Sequence, residues 1–177
     1  TVLGDVAQAT GPVLYSSWDE LAPFLGAEPR VEELRHAYRV PAEIMELALP
    51  LLERIAPRVE PPLAYRTGGE PPRLVEAPAD ALLEAALREA DGFEEGLTAV
   101  IVPASLAAGL EPGHVFEEAE TPVLTPREAK GLEFDHVVVV EPAAIAEEGG
   151  EQGLRHLYVA LTRPTKTLVV VHARPLP

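Results

Sequence analysis

The chain has 177 residues, 47% hydrophobic and 24% charged, with 29 acidic against 14 basic groups and a formal net charge of −15. That size and balance give one ordinary globular domain with a real core and exclude a disordered chain. There is no cysteine, which excludes disulfides and thiolate metal sites; no apolar run is long enough to cross a bilayer and no basic-then-apolar leader opens the chain, so no membrane role and a cytoplasmic location are expected.

The chain starts at Thr1 inside an apolar run, with no initiator Met, as expected of a piece of a longer protein. "TVLGD" (1–5) reads as a short strand ending at a Gly-Asp turn. "SSWDELAPFLG" (16–26) opens with a serine cap and carboxylates in its first turn, so it starts as a helix that Pro23 can break and Gly26 ends. The last part of "RVEELRHAYR" (30–39) reads as strand, because residues before Pro41 are pushed toward extended backbone. "PAEIMELALPLLERIA" (41–56) has Pro41 at the first helical position and apolar residues at helical spacing, with Pro50 expected to kink it. Five prolines and Gly68-Gly69 make 57–72 a loop. "RLVEA" (73–77) is a short strand, "PADALLEAALREADG" (78–92) an amphipathic helix ended by Gly92, and "LTAVIVP" (97–103) a buried strand. Residues 104–120 read as loop with a short helix. "PVLT" (122–125), "HVVVVEP" (136–142) and "TLVVVHA" (167–173) read as strands, and the helix within 147–163 must stop by Arg163 because Pro164 follows. Strands separated by helices predict an α/β fold: a mostly parallel sheet covered on both faces. No internal repeat or low-complexity tract stands out.

The charge is uneven. Residues 76–119 carry Arg88 alone against 10 acids. Such a segment is either a solvated acidic face or a face for a basic partner protein. No basic stripe of the kind that holds phosphate backbones is visible.

In a doubly wound sheet, ligands sit at the carboxyl ends of the strands. The polar residues to weigh are therefore Asp5 and Gln8, Tyr38 and Arg39, Thr125 to Glu133, and Arg163 at a helix end. Arginine forks bind phosphate, a carboxylate accepts from ribose hydroxyls, and an aromatic face takes a base. Taken singly, each of these residues is as well read as a surface or core group. The five histidines show no metal spacing, and Ser16, Ser17 and Ser105 have no nucleophile context.

"TPREAKGLEFDHVVVV" (125–140) and "LRHLYVALTRPTKTLVVV" (154–171) resemble motifs V and VI of the UvrD/Rep-like superfamily 1 helicases. "LRHAYRVPAEI" (34–44) is similar to motif IV, and "TVLGDVAQ" (1–8) to motif III, so four motifs follow in order. The short "GDVAQ" looks most like the HelD branch, helicase-like ATPases that act on RNA polymerase. The resemblance implies a second, C-terminal RecA-like domain over 16–177, with 1–15 as the end of the preceding RecA-like domain or as a first strand. It implies that Gln8 senses the γ-phosphate of ATP, that Tyr38 stacks on adenine, and that Arg39 reaches the γ-phosphate. It further implies that Glu133 holds the ribose, with Gly131 letting the backbone come close, and that Arg163 is an arginine finger. Thr125 and Arg127 take the nucleic-acid role; Arg127 stands where many DNA-translocating members have histidine. Pro164 follows Arg163 where the family usually has alanine.

No G-x-x-x-x-G-K-[ST] occurs, and no Asp-Glu pair follows an apolar strand. By the resemblance, Mg²⁺ and the phosphate loop belong to an N-terminal RecA-like domain, and this fragment alone is inactive. Two function classes remain. One is half of an ATP-driven motor acting on nucleic acid; the other is a non-catalytic RecA-like module that binds RNA polymerase.

Overall fold

In the computed structural model of this chain, residues 2, 4–11, 15, 17–24, 30, 32, 34, 36–110 and 121–177 are described. The short strands β1 (His36–Ala37) and β2 (Leu63–Ala64) pair in parallel with each other. β3 (Arg73–Glu76), β4 (Thr98–Ile101), β5 (Val123–Leu124), β6 (Phe134–Val140) and β7 (Pro164–His172) form a separate, wholly parallel sheet in the order β3-β7-β6-β4-β5.

The valine runs explain the centre of that sheet. β6 and β7 lie between other strands, and a strand covered on both faces needs apolar side chains at every position. Successive side chains point to opposite faces. Val137, Val139, Ala99, Ile101, Leu168 and Val170 therefore face one core, and Val138, Val140, Val100, Val102, Val169 and Val171 face another. The first core is closed by α1 (Ala42–Ile55) and α5 (Glu151–Leu161), the second by α2 (Leu82–Asp91). Each helix presents a stripe: Ile44, Met45, Ala48, Leu51, Leu52 and Ile55 on α1, and Leu82, Ala85, Ala86 and Ala90 on α2. Burying one such side chain contributes roughly 1.5–3 kcal/mol. The expected parallel sheet with helices on both faces is present.

Several local expectations change. Of 1–5, the described residues 2, 4 and 5 are not strand. Of the helix expected over 16–26, the described part is turn plus one turn of 3₁₀-helix at Ala22–Phe24; Ser16, Leu25 and Gly26 lie outside the described residues. The proline-rich loop contains β2. α1 runs through Pro50, and Pro41 is its N-cap rather than its first helical residue. The short helix α3 (Ala104–Ala107) is followed by residues 111–120, which lie outside the described residues. An unexpected helix, α4 (Pro142–Glu147), follows β6. It begins at Glu141, which adopts a left-handed backbone with φ 45°. That conformation costs a non-glycine residue on the order of 1 kcal/mol. It is held because the buried Glu141 carboxylate accepts from the Ala173 amide (2.8 Å) and Arg174 Nε (3.1 Å).

Tyr158 on α5 is buried in the first core. Burial pushes its phenol up to about 12 from 10.0, the Asp5 charge adds to this, and the Arg163 charge opposes it. The folded state therefore favours the neutral phenol. That contribution is complete below pH 10, the unfolded value, and is lost as pH rises toward 12.

Two outcomes are expected in unfolding experiments. Leu168→Ala, at a fully buried position, should lower urea stability by about 2–5 kcal/mol, whereas Leu74→Ala, 53% exposed on the edge strand, should stay within about 0.5. Between pH 10 and 12 the wild type should lose about 2–3 kcal/mol more than Tyr158→Phe does, measured by urea titration at each pH; equal slopes would remove Tyr158 as the titrating group.

Candidate nucleotide site

Arg163 lies between the end of α5 and the start of β7. Thr162 closes the helix: its hydroxyl donates to the Tyr158 carbonyl at 2.8 Å. Pro164 then opens β7, a position where a strand tolerates proline. A helix packed on a parallel sheet returns the chain to the amino edge. Arg163 therefore precedes its strand. Glu133 precedes β6 in the same way. The expectation that these residues lie at the carboxyl ends is corrected: the Arg163 and Glu133 cluster sits at the amino edge.

The carboxyl edge is occupied by internal contacts instead. Arg174 pairs with Glu141 and Glu147, and Glu148 accepts from the Ala104 and Ser105 amides at 2.9 and 2.8 Å. Burial pushes the Glu148 carboxyl up, but hydrogen bonds from the Ser105 amide and side chain and from the Ala104 amide together outweigh it and hold the group below its usual range.

Arg163 is 2% exposed. Its guanidinium donates to the Val159 carbonyl (3.0 Å), the Leu132 carbonyl (3.3 Å), Thr162 Oγ1 (3.3 Å) and Gln8 Oε1 (3.0 Å). Burial lowers its pKa and the Arg39 charge adds to this, while Glu133, Asp5 and Tyr158 pull the other way. The group stays cationic, as a guanidinium does in proteins. Gln8 arrives on a tight turn in which Gln8 N donates to the Asp5 carbonyl and Ala7 N to Asp5 Oδ1. That turn is tied to α5 by Arg155, fully buried, which donates to the carbonyls of Val6 (2.5 Å) and Ile55 (2.8 Å). Further along, Gln152 donates to the Thr10 carbonyl at 2.8 Å and Lys130 Nζ to Thr10 Oγ1 at 3.2 Å.

Arg39 forms an ion pair with Glu133, with both side chains about half exposed. The residues named for phosphate and ribose contact thus neutralise each other. Gly131, two residues before Glu133, has φ 86°, a conformation that favours glycine, and a Cβ there would meet nothing within 4 Å. Gln8, Arg39, Glu133 and Arg163 all converge on this edge.

Tyr38 is 63% exposed. Its ring lies 5.0 Å from that of Tyr65 at 41°, and 6.1 Å from that of His36. Tyr65 and Arg66 did not emerge from the sequence, although a signal was there: Ala-Tyr-Arg occurs twice, at 37–39 and 64–66. The β1–β2 register sets Ala37 against Ala64, so the tyrosines that follow stand side by side. Arg66 Nη1 donates to the Thr165 carbonyl at 2.7 Å and to the Arg39 carbonyl at 3.3 Å.

Thr125 and Arg127 are not part of this group. Thr125 follows β5 at the carboxyl edge, where its amide and hydroxyl donate to Glu128 at 2.8 Å. Arg127 is exposed, and its charge and that of Lys130 act on half-buried His156. Burial lowers the His156 pKa, Glu148 opposes that shift, and the two cations add to it. Among the described residues no group of three or more histidines and carboxylates is placed to hold a metal, and no helix is long and apolar enough to cross a membrane.

No curated protein matches the chain. Among solved structures, the C-terminal domain of a possible DNA helicase from Lactobacillus plantarum WCFS1 aligns with a TM-score of 0.52 and 22% identity, over 79% of this chain and 89% of that one. An arterivirus helicase, nonstructural protein 10 in complex with DNA, aligns with a TM-score of 0.40 and 20% identity, over 80% of this chain but only 26% of that protein. The family of UvrD-like helicase C-terminal domains matches residues 122–171, the stretch from β5 through β6 and α5 into β7. The chain thus shares its fold with a helicase C-terminal domain, and its C-terminal third matches the UvrD-like family of such domains.

Proposed function

We propose that this chain is the C-terminal motor domain of a superfamily 1 helicase-like ATPase, supplying one wall of an ATP site whose phosphate loop and Mg²⁺ ligands lie on an N-terminal RecA-like domain. The observation that carries the reading is the convergence of Arg163, Gln8, Arg39 and Glu133 on one edge of the sheet. A scaffold has no physical need to assemble two guanidiniums, an amide and a carboxylate there.

The side chains present fit a nucleotide. Arg39 is exposed and can exchange Glu133 for a phosphate oxygen. Glu133, released, can accept from ribose hydroxyls, and Tyr38 offers an exposed ring face. Arg163 is held by three backbone or hydroxyl acceptors and by Gln8, so its charge is fixed before anything binds, as electrostatic stabilisation of a phosphoryl transition state requires. ATP supplies the phosphoanhydride bond that is cleaved. Gln8, bonded to Arg163, is placed to report changes at that group to the 5–11 segment.

Thr125 and Arg127 would meet nucleic acid at the opposite edge, with Lys130 nearby. The HelD branch, with RNA polymerase as partner, rests on the short Gly4–Gln8 segment and on the lack of room for a large insertion between the motifs. The reading as a non-catalytic module is favoured by the acidic stretch before residue 120 and by Arg127 in place of a histidine.

Three measurements test the proposal. In the intact protein, Arg163→Ala should leave ATP binding nearly normal and cut turnover by roughly 10³-fold, while Glu133→Ala should weaken binding with a smaller effect on turnover. The 177-residue chain alone should show no hydrolysis; turnover by it that Arg163→Ala abolishes would mean the site is complete here. In fluorescence polarisation the isolated chain, at net charge −15, should bind single-stranded DNA weakly at physiological salt, and tight binding that falls steeply with salt would overturn that expectation.

A further inference from the structure

We propose that Tyr65 is a positioning residue for nucleobase recognition, holding the Tyr38 ring so that its free face meets the base; this rests on the nucleotide site proposed above. Three observations carry it. Tyr38 and Tyr65 are 63% and 68% exposed, so neither ring is explained by the core. They nonetheless pack against each other, ring centres 5.0 Å apart and tilted by 41°, with His36 flanking Tyr38 at 6.1 Å. The backbone beneath them is built for this: the Ala37↔Ala64 register places the two rings in one row, Tyr65 N donates to the Ala37 carbonyl, and Arg66 ties the row to β7 through the Thr165 carbonyl.

With their centres 5.0 Å apart the two rings are in contact and leave no room for a base between them. A base therefore stacks on the outer face of the row, and Tyr65 acts by restricting Tyr38 rather than by enclosing the ligand. A lone tyrosine this exposed samples its rotamers and loses that freedom on binding; one already braced loses less. The occupant is the base of a nucleotide rather than an apolar peptide side chain, because Arg39 follows Tyr38 directly and Arg163 lies near Arg39. The Tyr65 ring is what matters, since Tyr38 contacts the ring and not a hydroxyl-bonded partner.

The test uses the intact protein, ATP, and inorganic tripolyphosphate as a competitor lacking base and ribose. Tyr65→Ala should raise the KM for ATP by about 3- to 10-fold with kcat nearly unchanged, the size of one aromatic contact. Tyr65→Phe should behave as wild type, and inhibition by tripolyphosphate should be the same in all three. Both tyrosines are exposed, so the variants keep the fold. If Tyr38→Ala raises KM and Tyr65→Ala does not, the positioning role is wrong and the nucleotide site stands. An equal loss of tripolyphosphate affinity in Tyr65→Ala would also overturn it, as general damage to the site. Absence of nucleotide turnover in the intact protein would remove the functional reading and this inference with it.

Discussion

Two buried guanidinium groups, Arg155 on α5 and Arg163 just past its end, dictate much of the arrangement. Arg155 and Arg163 are essentially fully buried at either end of the second half of α5 and its exit. A cation taken out of water costs several kcal/mol unless its N–H groups find acceptors. Four of the acceptors come from three distant places: Val6 and Gln8 near the start of the chain, Ile55 at the end of α1, and Leu132 before β6. Each is a carbonyl or an amide; only Glu151, at 3.4 Å from Arg155, is a carboxylate. Arg155 ties the Asp5–Ala9 turn to the end of α1, and Arg163 ties the same turn to the Gly131–Glu133 loop, while the buried Arg155 Nε has no partner among the described residues. Gln8 sits beside Arg163 through the second of these ties.

The sheet supplies the rigid frame. β6 and β7 pair over most of their lengths, so the residues that precede them, Glu133 and Arg163, are fixed relative to each other. Phe134 pairs with Pro164 at the amino edge, one residue beyond each functional group. An irregularity in register between Phe134 and His136 sits just inside this edge, where Asp135 accepts from Leu97 N and pairs with Lys166. Bulges are found where a strand end has to aim a side chain. At the other edge the polar groups are consumed by Glu141, Glu147, Glu148 and Arg174.

The legible parts of the sequence were those with long periodic signals. Four consecutive valines in β6 and three in β7 read as doubly buried strands, and the apolar stripes of α1 and α2 read as helices. The parts that were not legible depend on a few residues held by distant partners. β2 is two residues in a proline-rich loop and exists only because β1 lies beside it. α4 starts at a strained Glu141 whose partners are more than 30 residues away. The edge carrying Glu133 and Arg163 was not legible because both residues precede their strands, whereas the rule for ligand edges concerns the loops that follow strands. The paired Ala-Tyr-Arg segments show the same limit. A tripeptide repeat 27 residues apart is too short to register as a repeat, and only the parallel pairing gives it meaning.

The two arginines nearest the proposed phosphates differ in how freely they can respond. The Arg39–Glu133 pair is about half exposed on both sides, and an ion pair of that kind is worth at most about 1 kcal/mol. Opening it releases both side chains at little cost, so Arg39 can follow a ligand. Arg163 cannot do the same. Moving its buried fork would break its hydrogen bonds to the Val159 and Leu132 carbonyls and to Gln8 and leave a guanidinium that is 2% exposed without those acceptors, at roughly 1–3 kcal/mol for each buried donor left unsatisfied. A ligand at this edge thus meets one cation that adjusts to it and one that does not. The fixed cation is the one that hydrogen-bonds Gln8, and the segment carrying Gln8 is itself held by Arg155 at Val6 and Gln152 at Thr10.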